Sequence, residues 1–82
     1  MTQQAFNNSL DKLANEICRR YYYNDEDLRS KVFNKTYDEL DHNLKDFDNV
    51  LVSYTPLKTT RIEAKIEIIS QNKVIQTIKF AL

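Results

Sequence analysis

Candidate nucleophiles and general bases are few and far apart in this 82-residue chain. Cys18 is the only cysteine and His42 the only histidine. Nucleophilic catalysis needs an activating base beside the nucleophile, and the sequence implies no partner for either residue. A lone cysteine on the flank of an apolar helix stripe is typical of packing. We therefore expect a non-enzymatic protein, and a small enzyme or toxin built around Cys18 or His42 is the least favoured hypothesis.

A metal site is also not predicted. The segment from Asp46 to Asn49, with Asp48 between them, has the spacing of the first ligands of a calcium loop. The sixth position of such a loop requires glycine and the twelfth requires glutamate, whereas Leu51 and Leu57 occupy those positions here. Solvated acids near a helix end explain this segment better, and we expect neither a metal nor another cofactor.

The chain contains no glycine. Glycine lets a backbone approach phosphate closely and turn through positive φ without strain. The Walker loop, the dinucleotide-binding fingerprint and the G-x-S-x-G nucleophile elbow all depend on it. These three classes of site are therefore excluded.

The charges cancel, with 12 Lys and Arg against 12 Asp and Glu, so no overall field favours nucleic acid or an anionic membrane. Eight acids against four bases lie in residues 25–48. An ordinary charged helix face explains this bias better than mimicry of nucleic-acid phosphates. A single cysteine, no apolar run of membrane length and no signal-like start indicate an unanchored cytoplasmic protein.

The spacing of apolar residues predicts one α+β domain over residues 1–82, with the order α-α-β-β-β. Helix 1 is expected at about residues 3–23 and helix 2 at about 25–44, the latter with an apolar face wide enough to contact both helix 1 and the sheet. From residue 50 the period changes from 3.6 to 2 and β-branched residues dominate. Strands are expected at about residues 50–54, 60–69 and 74–82, as an antiparallel meander sheet with both helices on one face.

The register of the last hairpin follows from keeping large apolar residues on one face. A three-residue loop places Ile62 opposite Phe80 and Glu63 opposite Lys79, and puts Val74 on the core side. A two-residue loop would bring Lys79 onto the core face. We therefore predict the three-residue loop.

One segment at the end of helix 1 exceeds what the fold needs. Arg19, Tyr22 and Tyr23 project from the side opposite the core stripe, so the sequence predicts an exposed Arg/Tyr patch. Tyr and Arg are enriched at protein–protein hot spots, and they can also stack nucleobases. The alternative is that Arg19 suits a helix C-terminus and the tyrosines cover the adjacent loop.

A second candidate surface is the solvent face of the sheet. Leu51, Ile69 and Ile75 are predicted to stand there among charged neighbours, and the last strand is expected to be an edge. Strand addition or face-to-face homodimerisation would cover such features. Isolated surface isoleucines are also common.

The favoured hypothesis is a protein-binding module that acts as an inhibitor or adaptor on another protein or on a second copy of itself. Small chains with this element order include adaptors, toxins, antitoxins and phage proteins, so a phage or mobile-element origin would fit. The alternative is a nucleic-acid-binding module that uses Arg19, Arg20, Tyr22 and Tyr23. Element order alone transfers no function.

Overall fold

A computed structural model describes residues 1–21, 25–42, 46–58 and 61–82. It contains two helices and three strands: α1 (Gln3–Tyr21), α2 (Asp25–Glu39), β1 (Asn49–Lys58), β2 (Arg61–Ser70) and β3 (Lys73–Ala81). The strands form one antiparallel sheet in the order β1-β2-β3. The predicted α-α-β-β-β meander is confirmed.

Helix α1 begins where the sequence supplies a cap. The Thr2 Oγ1 atom accepts a hydrogen bond of 3.1 Å from the backbone N–H of Ala5, which satisfies one of the free donors of the first turn. Apolar residues spaced three and four apart are buried along one side of the helix, at Phe6, Leu10, Leu13, Ala14 and Ile17. The helix ends at Tyr21, and residues 22–23 of the predicted span lie outside the described residues.

Helix α2 packs against both α1 and β3, as its wide apolar face predicted. Leu28, Val32 and Thr36 are buried at successive turns, and Phe33 is half-buried beside them. Thr36 is fully buried, and its hydroxyl has no hydrogen-bond partner among the described residues.

The predicted end of helix 2 at residue 44 is too late, since α2 ends at Glu39. The Gln76 side chain from β3 binds this end: its Nε2 donates to the Glu39 carbonyl at 2.7 Å, and its Oε1 accepts from the Asp41 N–H at 3.0 Å. The last carbonyls of a helix have no partner within the helix, so a side chain that binds one of them stabilises the helix end there. Residues 43–45 lie outside the described residues.

The inner face of the sheet carries the core. In β2, Ile62, Ala64, Ile66 and Ile68 alternate with polar residues and are at most 2% exposed. Val50 of β1 and the pair Ile78 and Phe80 of β3 complete this face, and all of them join the buried residues of α1 and α2 in one cluster.

The predicted three-residue loop between β2 and β3 is wrong. Ser70 pairs with Lys73, which leaves a two-residue turn at Gln71 and Asn72. Both turn residues have positive φ, 52° and 64°, as the tight hairpin turn requires. Asparagine tolerates this conformation well. Glutamine adopts it here although glycine is the residue that usually does so.

A β-bulge corrects the faces that a two-residue loop would otherwise invert. Ile69 pairs with Val74 and Ile68 with Gln76, so Ile75 is an additional residue in β3. Beyond the bulge, the inner-face residues of the two strands again oppose each other.

The predicted register is therefore displaced by two residues. Ala64, not Ile62, lies opposite Phe80, and Lys79 lies opposite Lys65 instead of Glu63. Val74, predicted on the core side, is 49% exposed because it precedes the bulge.

Strand β1 continues to Lys58, beyond the predicted end at residue 54. Pro56 therefore lies inside the strand, opposite Ile62. Proline lacks a backbone N–H, but an edge strand tolerates this loss. The pairing shifts between Pro56 and Lys58, so the strand becomes irregular directly after the proline.

Candidate interaction surface

The outer face of the sheet is the surface of this fold that the described helices leave uncovered. Four rows of cross-strand neighbours form it, from β1 through β2 to β3: Thr55–Glu63–Ala81, Ser53–Lys65–Lys79, Leu51–Glu67–Thr77 and Asn49–Ile69–Val74. Both helices join the inner face. An antiparallel sheet with one solvated face is expected to carry polar residues there.

One end of this face departs from that expectation. Leu51 is 52% exposed, Val74 is 49% exposed and the bulged Ile75 is 42% exposed. Ile69 is half-buried, pairs directly with Val74 and lies diagonal to Leu51 across the sheet. We call these four residues the outer apolar cluster. Leu51, Ile69 and Ile75 were predicted, whereas Val74 was missed because its face depends on the length of the turn before β3.

The middle of the outer face is charged with both signs. Lys65 Nζ lies 3.7 Å from Glu67 Oε1 along the same strand. Lys65 also lies opposite Lys79, a like-charge pairing that costs stability in a sheet. The face therefore offers cations and anions side by side next to the outer apolar cluster.

The two edges of the sheet are less suited to binding than its face. β1 carries Pro56 and a register shift, and β3 carries the bulge at Ile75 together with exposed Lys73 and Lys79. Prolines, bulges and lysines on edge strands all oppose pairing with another strand. The strand addition considered from the sequence is thus disfavoured, and the outer face is the better candidate.

Of the three residues in the Arg/Tyr patch predicted at the end of helix 1, Arg19 lies among the described residues. Arg19 and Arg20 are exposed in the last turn of α1. Tyr22 and Tyr23 lie outside the described residues. The patch stays a prediction.

Arg19 also lines a polar groove of about 430 Å³ along α1, together with Asn8, Asp11, Lys12, Asn15 and Glu16. Two of these groups already bind Arg29 of α2: its Nε lies 3.3 Å from Asp11, and its Nη2 donates to Asn15 at 2.8 Å. The groove therefore contributes to helix–helix contact.

An aromatic cleft of about 250 Å³ lies where the N-terminal part of α1 meets the end of α2 and the segment before β1. The Phe6 ring makes edge-to-face contacts with Tyr37 and with Phe47, at centroid distances of 5.7 and 5.6 Å. The Tyr37 hydroxyl donates a hydrogen bond to Asn7. These contacts hold α1 and α2 together with the chain that enters the sheet.

The candidate catalytic and metal-binding residues lie in different parts of the fold. Cys18 is half-buried on α1 and packs against the core, and His42 is exposed beyond the end of α2. Asp48, weighed above as a calcium ligand, binds the second hairpin: its Oδ2 accepts from Gln71 N–H at 2.7 Å, and its own N–H donates to the Ile69 carbonyl at 2.9 Å. Within the described ranges no group of three or more His, Cys, Asp or Glu residues could hold a metal ion.

Comparison with known protein families, with curated proteins and with solved structures gave no match. In the described part of the chain, no helix is both long enough and apolar enough to span a membrane.

Proposed function

We propose that this chain is a non-enzymatic protein-binding module that acts as an inhibitor or adaptor, with the outer face of its sheet as the contact surface. The observation that carries the proposal is the outer apolar cluster, which exposes three large aliphatic side chains at one end of an open sheet face. Burying apolar area is the main favourable term in most protein association. The adjacent charges of both signs suit a protein surface better than a polyanion.

A binding role also explains residues that the fold does not require. Leu51, Val74 and Ile75 are about half exposed, so they contribute less to the core than the inner-face residues do. Contiguous exposed apolar residues rimmed by polar ones mark interaction sites, whereas scattered ones do not. The cross-strand pairing of Ile69 with Val74, and the diagonal position of Leu51, make this set contiguous.

The experiment that tests the proposal is affinity capture with matched baits. Wild-type chain, Leu51→Lys and Asn34→Lys are immobilised and exposed to extracts of the source cells, and retained proteins are quantified by mass spectrometry. Both substitutions put a lysine at an exposed residue, but Leu51 lies in the outer apolar cluster, whereas Asn34 lies on α2 and not on the sheet. We expect the wild-type and Asn34→Lys baits to retain the same partner and Leu51→Lys to retain at least tenfold less. Equal retention by all three baits would overturn the proposed surface.

The competing function is nucleic-acid binding through the end of α1, since Arg19 and Arg20 are both exposed there. Binding of that kind weakens steeply with salt, because phosphate contacts release counterions. Retention of the wild-type chain on single-stranded DNA at low salt, lost in Arg19→Ala with Arg20→Ala, would favour this alternative. If the proposed function is correct, the wild-type chain and the double variant elute from the DNA together, and salt does not change their elution.

The Arg/Tyr patch is also open to a direct test as a second protein contact. A triple variant with alanine at Arg19, Tyr22 and Tyr23 enters the same capture experiment. Unchanged retention with an unchanged melting temperature assigns binding to the sheet alone. A loss of partner that equals the loss in Leu51→Lys assigns both surfaces to one interface.

A further inference from the structure

We propose that the outer face of the sheet binds a second copy of this chain, face to face and with the strands of the two copies antiparallel. This inference rests on the proposed function, because it names the partner of the same surface. It is argued from the pairing of the strands, which fixes the order of charged and apolar residues on the outer face.

Two simple symmetric arrangements bring two such faces together, and charge separates them. A two-fold axis parallel to the strands would set Lys65 against Lys65 and Glu67 against Glu67 of the other copy. Like charges that face each other across the contact repel. An axis perpendicular to the strands, between the rows of Lys65 and Glu67, instead sets each Lys65 against the other copy's Glu67. The two-fold symmetry repeats this ion pair, so it forms once on each side of the axis.

The same axis also matches the sizes of the side chains. Leu51 comes to lie across from Ser53, and Val74 across from Ala81, so that a large aliphatic side chain meets a small residue in each case. The least favourable pairing, Ile69 with Glu63, falls at the two ends of the contact, where the carboxylate reaches water. The face is therefore complementary to itself in one orientation and not in the other.

The area of the face predicts a weak dimer. Three strands about 4.8 Å apart and about 30 Å long cover roughly 400 Å² in projection, or about 800 Å² for two copies. Specific stable interfaces bury about 1,200–2,000 Å² in total, and transient ones bury less. Projected area understates accessible area because the side chains stand out from the sheet. We therefore expect a reversible dimer that dissociates on dilution.

Sedimentation velocity of two charge-reversal variants, alone and mixed, tests the arrangement. Lys65→Glu alone sets glutamates against glutamates across the interface, and Glu67→Lys alone sets lysines against lysines. An equimolar mixture restores both ion pairs, but only between one copy of each variant. The substitutions break the Lys65–Glu67 contact within each chain in every sample, so recovery in the mixture can come only from contacts between chains.

We expect the wild-type chain to shift from monomer to dimer as its concentration rises. Each variant alone should associate at least tenfold more weakly, and the mixture should recover most of the wild-type association. A wild-type chain that stays monomeric over the whole range overturns the inference without any variant. The inference is also overturned if each variant alone dimerises as the wild type does, or if the mixture stays monomeric.

Thermal unfolding of each variant at low concentration provides the folding control, and these partly exposed substitutions should leave the melting temperature nearly unchanged. The inference and the proposed function fail separately. A monomeric wild-type chain whose captured partner is lost in Leu51→Lys removes the second copy and leaves the binding module. Equal retention by all baits removes the proposed surface, whatever the oligomeric state.

Discussion

The two faces of the sheet are built from the same strands, yet they obey different constraints. Along β2 the inner residues are at most 2% exposed. The outer residues Glu63, Lys65 and Glu67 face solvent and are half-buried. Burial in a close-packed core dictates the inner residues, since a change of one methylene is felt there. The outer face has no such constraint. Apolar residues on it therefore call for a reason other than folding.

A matched pair of truncations should separate the two faces by the largest difference in stability. Ile66 is fully buried at the centre of the inner face, between Val52 and Ile78, and Leu51 is half-exposed on the outer face. Ile66→Ala should lower the free energy of unfolding by about 2–5 kcal/mol, because it removes buried methyl groups and leaves a cavity. Leu51→Ala should lower it by about 0.5 kcal/mol or less. Urea denaturation measures both, and equal effects would contradict the distinction between the faces.

Gln76 tests the one polar side chain that the bulge brings to the inner side of β3. Gln76→Ala removes two hydrogen bonds to the end of α2 and should cost about 1–2 kcal/mol. Gln76→Glu should cost at least as much, since a carboxylate cannot donate to the Glu39 carbonyl. Thr77→Ala, on the next and exposed residue, is the control. Amide hydrogen exchange should show faster opening of the last turn of α2 in both Gln76 variants and normal protection in the control.

Thr36 of α2 is a buried polar residue on the helix side of the core. Its hydroxyl is fully buried and has no hydrogen-bond partner in the described part of the chain. Thr36→Val replaces this hydroxyl by a methyl group and should raise the free energy of unfolding by about 1 kcal/mol. Thr36→Ser keeps the hydroxyl and removes the methyl group, so it should lower stability by about 1 kcal/mol. Two destabilised variants would show that the hydroxyl is satisfied in solution.

The turn between β2 and β3 sets which residues reach each face, and a change there should alter stability least. Gln71 and Asn72 both hold positive φ, and Asn-Gly is the pair most favoured for such a turn. The double change Gln71→Asn and Asn72→Gly should therefore raise the melting temperature and add about 0.5–1 kcal/mol. The backbone N–H of residue 71 still donates to Asp48. The same double change combined with Asp48→Ala should show a smaller gain if that hydrogen bond helps to hold the turn.

The fold class could be predicted because each element carries its own period. The stripe of α1 and the alternation of β2 are local patterns, and the structure buries the same residues. The register of the last hairpin could not be predicted. The prediction assumed that side chains alternate regularly between the two faces of each strand, and a bulge breaks this alternation by adding one residue. The end of α2 could not be predicted either, since a side chain from β3 sets it.

The candidate surface was predicted in outline. Leu51 and Ile75 are exposed as expected, and Ile69 is half-buried beside them. Val74 could have been found only by weighing a two-residue turn followed by a bulge, which keeps Lys79 off the inner face as well as a longer loop does. The two-residue turn was rejected because a regular ladder after it would bring Lys79 onto the core face, and in the structure the bulge removes that conflict.

The bulge also determines where β3 can lose a residue over evolutionary time. Deleting Ile75 would leave Val74 opposite Ile69 and Gln76 opposite Ile68, a regular ladder in which every later residue keeps its face. Deleting Thr77 instead would move Lys79 towards the core and carry Ile78 outwards. Deleting Val74 in place of Ile75 would give the same ladder, with Ile75 opposite Ile69. Length variants of this hairpin should therefore survive when the residue is lost at the bulge and fail when it is lost farther along β3.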